Sequence, residues 1–271
     1  MITLKEDFMV KALFSSKEII LKQFISDVLS IPMEEIRSVR IANPYLRKRY
    51  RRQKQGILDI FLWMNDDRKI NIELQIKAQK DWKKRNLFYL AKMYVEDLQS
   101  GEKYGRLRKC ICISILGFNL TESETCHTIY RLRDMDGNDF SDQWELHTIE
   151  LQKSPEKGSK VCEWVSLFNA NTEGELDMIL SKTKNEGIME AVREMKILNL
   201  RKRIRYEYEM WLKARRDRWA EDDFIRDEAI LKEKTIIIKN MLAQNLPMTQ
   251  ICQIVECDED FVEKIREGIQ S

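Results

Sequence analysis

The stretch Ile57-Leu58-Asp59-Ile60-Phe61-Leu62-Trp63-Met64, Asn65-Asp66-Asp67-Arg68, Lys69-Ile70-Asn71-Ile72-Glu73-Leu74-Gln75-Ile76-Lys77 reads as strand, polar turn, strand. In the second run Ile70, Ile72, Leu74 and Ile76 recur with a period of two, so Asn71, Glu73, Gln75 and Lys77 are expected on the opposite face. Folded as a hairpin, the two runs bring Asp59 and Glu73 into one small volume. Such a corner suits a hard divalent cation such as Mg²⁺, which is held by one or two carboxylates together with water and substrate phosphate oxygens. The competing reading is that both acids face solvent on one side of an antiparallel sheet.

Upstream, Phe8, Leu13, Phe14, Ile19, Ile20, Phe24, Ile25 and Val28 mark one or two amphipathic helices with a break near Ser15-Ser16, and Arg37 to Ile41 reads as a short extended run. Arg47-Lys48-Arg49-Tyr50-Arg51-Arg52-Gln53-Lys54 is a basic loop just before the Asp59 strand. Downstream, Asp81 to Gln99 predicts a helix with Trp82, Leu87, Leu90, Ala91, Tyr94 and Leu98 on its apolar stripe, stopped by Gly101. Lys109 to Phe118 predicts a buried strand and Glu145 to Leu151 another, with a hairpin excursion between them that turns at Asp136-Gly137-Asn138. This order implies an α/β fold with a mixed sheet flanked by helices. We divide the chain into a sheet-bearing domain over 1–175 and a helical region over 176–271, in which a helix from Asp227 to about Gln244 precedes a module resembling helix-turn-helix.

The 271 residues are 43% hydrophobic and 34% charged, with a net charge of +2, so any basic footprint for nucleic acid must be local. The opening residues carry no basic-then-apolar leader, and no apolar run approaches the about 20 residues of a membrane span; a cytoplasmic protein is expected. Cys110, Cys112, Cys126, Cys162, Cys252 and Cys257 lack structural zinc spacing. His127 and His147 lie near no nucleophile motif and read as surface or strand-end histidines.

Taken in order, Asp7-Phe8-Met9-Val10-Lys11-Ala12-Leu13-Phe14, Ile57-Leu58-Asp59-Ile60, Ile72-Glu73-Leu74-Gln75, Lys84-Arg85-Asn86-Leu87-Phe88-Tyr89, Gly101-Glu102-Lys103-Tyr104 and the tail from Asn245 to Cys252 resemble the PD-(D/E)XK nuclease superfamily. Within it, they resemble the Rpn family of recombination-promoting nucleases and transposases. The resemblance implies a restriction-endonuclease-like fold in which Asp59 and Glu73 ligate Mg²⁺, with Mn²⁺ as a substitute, and the main-chain carbonyl of Leu74 completes the metal shell. Where the superfamily pattern has a lysine, this chain has Gln75, a departure shared with the Rpn subgroup. An amide can orient water but cannot neutralise developing charge. Lys77, about 6.6 Å further along the strand by its rise, Arg85 and Lys54 are the candidates to supply that charge.

The expected function is Mg²⁺-dependent DNA endonuclease activity associated with mobile elements and recombination. Asp59, Glu73, Gln75 and Lys77 are the catalytic candidates, and Asp7 is an accessory carboxylate on the first helix. Arg47, Lys48, Arg49, Arg51, Arg52, Lys54 and Arg85 are the DNA contacts. The alternative is a catalytically degenerate nuclease fold that binds DNA or protein. Between Arg193 and Arg218 ten basic residues face four acidic ones alongside an apolar stripe, which suggests packing or a homodimer through the C-terminal helices. The closing turn and helix, with six acids between Glu256 and Glu267, are too negative to read DNA and are expected to pack as a cap or meet a protein.

Overall fold

A computed structural model describes residues 1–44, 59–155 and 158–270 of the chain. By packing, two compact units divide it, Met1–Arg205 and Tyr206–Ser271.

The first unit opens with helices α1 (Asp7–Ser16) and α2 (Glu18–Leu29), separated at Lys17, whose extended backbone ends one helix and starts the next. Strands β1 (Val39–Ile41), β2 (Ile60–Met64) and β3 (Arg68–Gln75) follow, then helix α3 (Trp82–Val95) and strands β4 (Lys109–Leu116), β5 (His127–Arg133) and β6 (Asp139–Glu150). Helices α4 (Cys162–Asn169), α5 (Glu173–Lys182) and α6 (Glu186–Leu200) complete the unit. The six strands form one sheet in the order β1-β2-β3-β4-β6-β5. The centre is parallel, β3 with β4 and β4 with β6, and both flanks are antiparallel hairpins. This is the mixed, helix-flanked sheet that the sequence implies.

The β2–β3 turn works because Asn65 and Asp66 both take positive φ, 54° and 58°, a conformation that Asn and Asp tolerate better than other L-residues. The Asn65 side chain also accepts from the Arg37 and Ser38 amides, tying the hairpin to the preceding segment.

One face of the sheet, carrying Ile70, Ile72, Ile111, Ile113 and Ile115, is apolar and buried. On the helical side of the core Phe14, Phe24 and Trp164 stack with centroids 4.9 to 6.3 Å apart. Phe24 is fully buried, and truncating it to Ala costs about 3–5 kcal/mol. Asp27 anchors this side by accepting from Trp164 Nε1 at 2.8 Å and Asn185 Nδ2 at 3.0 Å.

The other face is covered by α3. Its buried residues are Trp82, Asn86, Leu90, Lys92 and Met93. Leu87, expected on the apolar stripe, is instead 49% exposed, because the stripe is rotated toward Asn86 and Met93. Cys110 and Cys112 pack here beside Phe61, Leu90 and Met93 as small reduced hydrophobes.

The second unit contains most of α7 (Lys202–Ala243), then α8 (Met248–Val255) and α9 (Glu259–Gln270). The expected separate helix from Asp227 is part of the continuous 42-residue α7, since no Gly or Pro interrupts it. Its end folds onto α8 and α9 through Ile238, Ile251, Val255 and Val262, with Asn245 and Glu256 at positive φ where the chain reverses. No helix among the described residues is long and apolar enough to cross a membrane.

Candidate metal centre

The β2–β3 register pairs Ile60 with Ile72. Asp59 stands one step before Ile60, so continuing the register sets it opposite Glu73. Glu73 lies on the face covered by α3, because it pairs in turn with Ser114, whose hydroxyl accepts from Asn86 of α3 at 2.8 Å; Asp59 stands in the bend before β2, close enough for its charge to act on Glu73. β3 is an interior strand, and Glu73 is only 6% exposed; the solvated-face reading of these acids therefore fails for Glu73.

Helix α1 brings its first turn to the same corner. Lys11 Nζ lies 3.6 Å from Asp59 Oδ1, and Asp7 begins the helix one turn earlier. With side chains 45% and 32% exposed, the Lys11–Asp59 pair is weakly held, worth about 0–1 kcal/mol. The Asp7 carboxyl is pushed above the usual carboxylate range, first by burial and next by the charge of Asp59, with Lys11 opposing. Burial also pushes Glu73 up; Arg85 counteracts it, while Asp59 and Asp7 add to it. Three carboxylates thus sense one another.

From α3, the Arg85 Nη2 donates to Glu73 Oε1 and Gln75 Oε1, each at 2.5 Å, while its Nη1 reaches Gln79. The Gln75 Nε2 donates to the Lys77 carbonyl at 2.8 Å. Lys77 does not share the strand face: β3 ends at Gln75, and Lys77 sits exposed in a bend beyond it. Leu74 follows Glu73 in β3 and is buried. Arg47, Lys48, Arg49, Arg51, Arg52 and Lys54 lie outside the described residues.

Among the described residues the buried oxygen Oε2 of Glu73 has no hydrogen-bond partner, nor do Asn71 Oδ1 and Arg85 Nε. A desolvated carboxylate oxygen left unpaired costs at least about 1–3 kcal/mol, which a cation would offset. Among the described residues no group of three or more His, Cys, Asp and Glu side chains is placed to hold a metal ion. Mg²⁺, however, is often bound through one or two carboxylates with water and phosphate oxygens, and the hard oxygens of Asp59 and Glu73 fit that requirement.

Two features escaped the sequence reading. Lys11 is a cation one helical turn from Asp7, and its signal was the i, i+4 spacing on a helix already assigned. His127 and His147 are not isolated surface histidines: the two rings stack, with His127 Nε2 3.0 Å from His147 Nδ1, and His147 is 1% exposed. Pairing β5 with β6 makes them neighbours. Burial, and then the second imidazole, lowers the His127 pKa to about 4.

A mixed sheet flanked by helices, with an acidic hairpin corner at the end of a central strand, defines a nuclease fold of the restriction-endonuclease type. The model of the PD-(D/E)XK nuclease family transposases matches residues 4–222, and the chain belongs to that family. Searches of curated proteins and of solved structures each found no match.

Proposed function

We propose that the protein is a divalent-metal-dependent endonuclease that hydrolyses DNA phosphodiester bonds and promotes recombination through the breaks it makes. The observation that carries this reading is the under-compensated Glu73 carboxylate, buried opposite Asp59 with one oxygen unpaired. Asp59, Glu73 and the Leu74 carbonyl would hold Mg²⁺ or Mn²⁺, which supplies Lewis acidity toward a phosphate oxygen and lowers the pKa of a bound water. Gln75, fixed between Arg85 and the Lys77 carbonyl, orients the attacking water through its amide oxygen. Arg85, planar and permanently charged, is suited to meet a phosphate as well as a carboxylate. Lys11 and Lys77 are the further cations of this region, and the basic residues between Arg47 and Lys54 are suited by charge to neutralise DNA phosphates.

Supercoiled plasmid incubated with Mg²⁺ tests this. Asp59→Ala and Glu73→Ala are each expected to lower nicking at least about 100-fold. Equal activity in all three proteins rejects the site. The Arg85 guanidinium lodged between Glu73 and Gln75 favours a second reading, DNA or protein binding without cleavage. A wild type inert with both Mg²⁺ and Mn²⁺ yet retarding DNA on a gel would select it.

Met210, Phe224 and Leu231 are exposed on one side of the continuous helix α7, and we assign them to a homodimer contact. Sedimentation of the full chain should give a dimer that Phe224→Glu with Leu231→Glu converts to monomer; a monomeric wild type removes the contact.

A further inference from the structure

Helix α7 is uncovered along its middle and carries its charge in two blocks. Every residue from Lys213 to Glu233 except Arg215 is exposed, so among the described residues little packs against that stretch, although helices in folded proteins draw most of their stability from packing. From Lys202 to Arg218 seven basic residues stand against three acidic ones, and from Trp219 to Leu231 five acidic residues stand against Arg226 alone. The first block is therefore +4 and the second −4, and the sign changes between Arg218 and Trp219.

One side of the helix runs through both blocks. Met210, Lys213, Ala220, Phe224, Asp227 and Leu231 follow one another at steps of three, four or seven residues and so share that side. Toward its acidic end the helix borders a groove of about 330 Å³, closed on the other flank by the start of α9. Leu231 and Phe261 give the groove apolar walls, and Asp227 and Asp258 give it an acidic rim. Lys234, which also lines it, donates to the Glu256 carbonyl at 3.1 Å.

We propose that two copies of the chain pair α7 antiparallel, crossing beside the small Ala220, so that the basic block of each lies along the acidic block of the other. This rests on the homodimer contact assigned above and adds its direction and register. One antiparallel register sets Met210 of each copy against Leu231 of the other at the groove, and brings Lys213 and Arg216 to Asp227 on its rim. The contact is the same on both copies, as a two-fold dimer requires. A parallel two-fold pair would set each position against itself, Lys213 on Lys213 and Asp227 on Asp227, and like charges in facing positions oppose association. DNA would meet the basic block alone, whereas a second copy answers the basic, apolar and acidic positions together. The two starts of α7 then stand about 55 Å apart at 1.5 Å per residue, where a parallel pair would bring them together.

The test uses the full chain, with disulfide trapping for direction and sedimentation for affinity, and every substitution falls at an exposed position. Met210→Cys and Leu231→Cys chains, co-expressed with tags of different length and oxidised, should give a covalent mixed dimer. Met210→Cys alone should give no more covalent dimer than wild type, since the two Met210 positions lie about 30 Å apart. Lys213→Glu and Asp227→Lys should each weaken the dimer about 3- to 10-fold, and both changes in one chain should return Kd to within about 3-fold of wild type. Met210→Cys bonding to itself, or charge reversals without effect, overturns the antiparallel pair and leaves the homodimer contact standing. A wild type that stays monomeric overturns both readings. Should that monomer bind duplex DNA in a way that Arg216→Glu abolishes, the basic block belongs to nucleic acid.

Discussion

Glu73 and Glu145 sit in the same sheet at nearly the same depth, 6% and 5% exposed, yet the protein treats them in opposite ways. On β6, burial pushes Glu145 up, but His147, Arg131 and Lys109 outweigh it and hold the carboxylate far below its usual range. Arg131 approaches at 2.5 Å and Lys109 at 3.1 Å. On β3, Glu73 has one cation, Arg85, against burial and two acidic neighbours, and its pKa is raised. Depth therefore does not distinguish a structural acid from a candidate metal ligand; the local charge balance does. Glu145 is compensated by the fold itself, whereas Glu73 is not, and that imbalance is what the proposed metal site rests on.

The largest effect expected from this contrast is at Glu145. Glu145→Gln leaves Arg131 and Lys109 beside a neutral amide, and since Arg131 is 44% exposed and rehydrates, the loss is about 1–2 kcal/mol. For a unit of this size that lowers Tm by about 2–8 °C, read by calorimetry, with nicking per folded molecule unchanged. Because the folded pKa of Glu145 is depressed, its contribution is present above the ordinary glutamate value of 4.5 and fades as pH falls below it. The deficit of the variant should accordingly shrink in acid.

Glu73→Gln, the matched change, should invert this pattern: nicking falls about 100-fold, while Tm stays within about 2 °C of wild type or rises. If Glu73→Gln instead loses stability as Glu145→Gln does, the two acids are alike and the contrast is broken.

Much of the Glu73 side was legible in the chain and little of the Glu145 side. The period of two across Ile70 to Leu74 assigns strand and face from local spacing alone, and Asn65-Asp66 marks the turn that sets Asp59 against Glu73. The order of helices and strands implies the mixed sheet. By contrast, the cluster around Glu145 joins residues from β4, β5 and β6, and the pairings that assemble it, Ile111 with Glu145 and Arg131 with Glu145, are non-local. The same holds for the stacked histidines and for Lys11 beside Asp59. The strand face expected for Lys77 is missed for a different reason: alternation predicts a face only while the strand lasts, and the strand ends two residues earlier. The continuity of α7 was hidden because charge patterning changes along it while helix propensity does not.

Arg85 offers a way to sharpen the comparison. Among the described residues it is the cation in ion-pair reach of Glu73, and it lowers that carboxyl's pKa. Arg85→Gln should raise that pKa further, so Mg²⁺, which needs the ionised carboxylate, competes with protons to a higher pH. The acidic limb of the pH–nicking profile should move upward, with about a tenfold loss near neutrality. An unmoved limb would detach Arg85 from the titration of Glu73 and leave it only a DNA contact.

The smallest effect tests whether the corner is crowded with charge at all. Asp7 begins α1, where a carboxylate ordinarily gains about 0.3–1 kcal/mol from the helix dipole. Its pKa is nonetheless raised, by burial and then by Asp59, so the unfavourable influences prevail. An acid with a raised folded pKa makes the native state bind more protons than the unfolded chain. Stability is then greatest below the ordinary value of 3.8, declines as pH rises through the folded pKa, and stays lowered above it. Because the Asp7 side chain is exposed and water screens the repulsion, Asp7→Asn should raise Tm by no more than about 1 °C at neutral pH without added metal, with no gain once the pH falls below the ordinary aspartate range. Millimolar Mg²⁺ should narrow the difference, because a bound cation relieves the repulsion in wild type and not in the variant. A Tm that falls at neutral pH would mean that the dipole outweighs the repulsion, and that Asp59 and Glu73 meet without the third carboxylate.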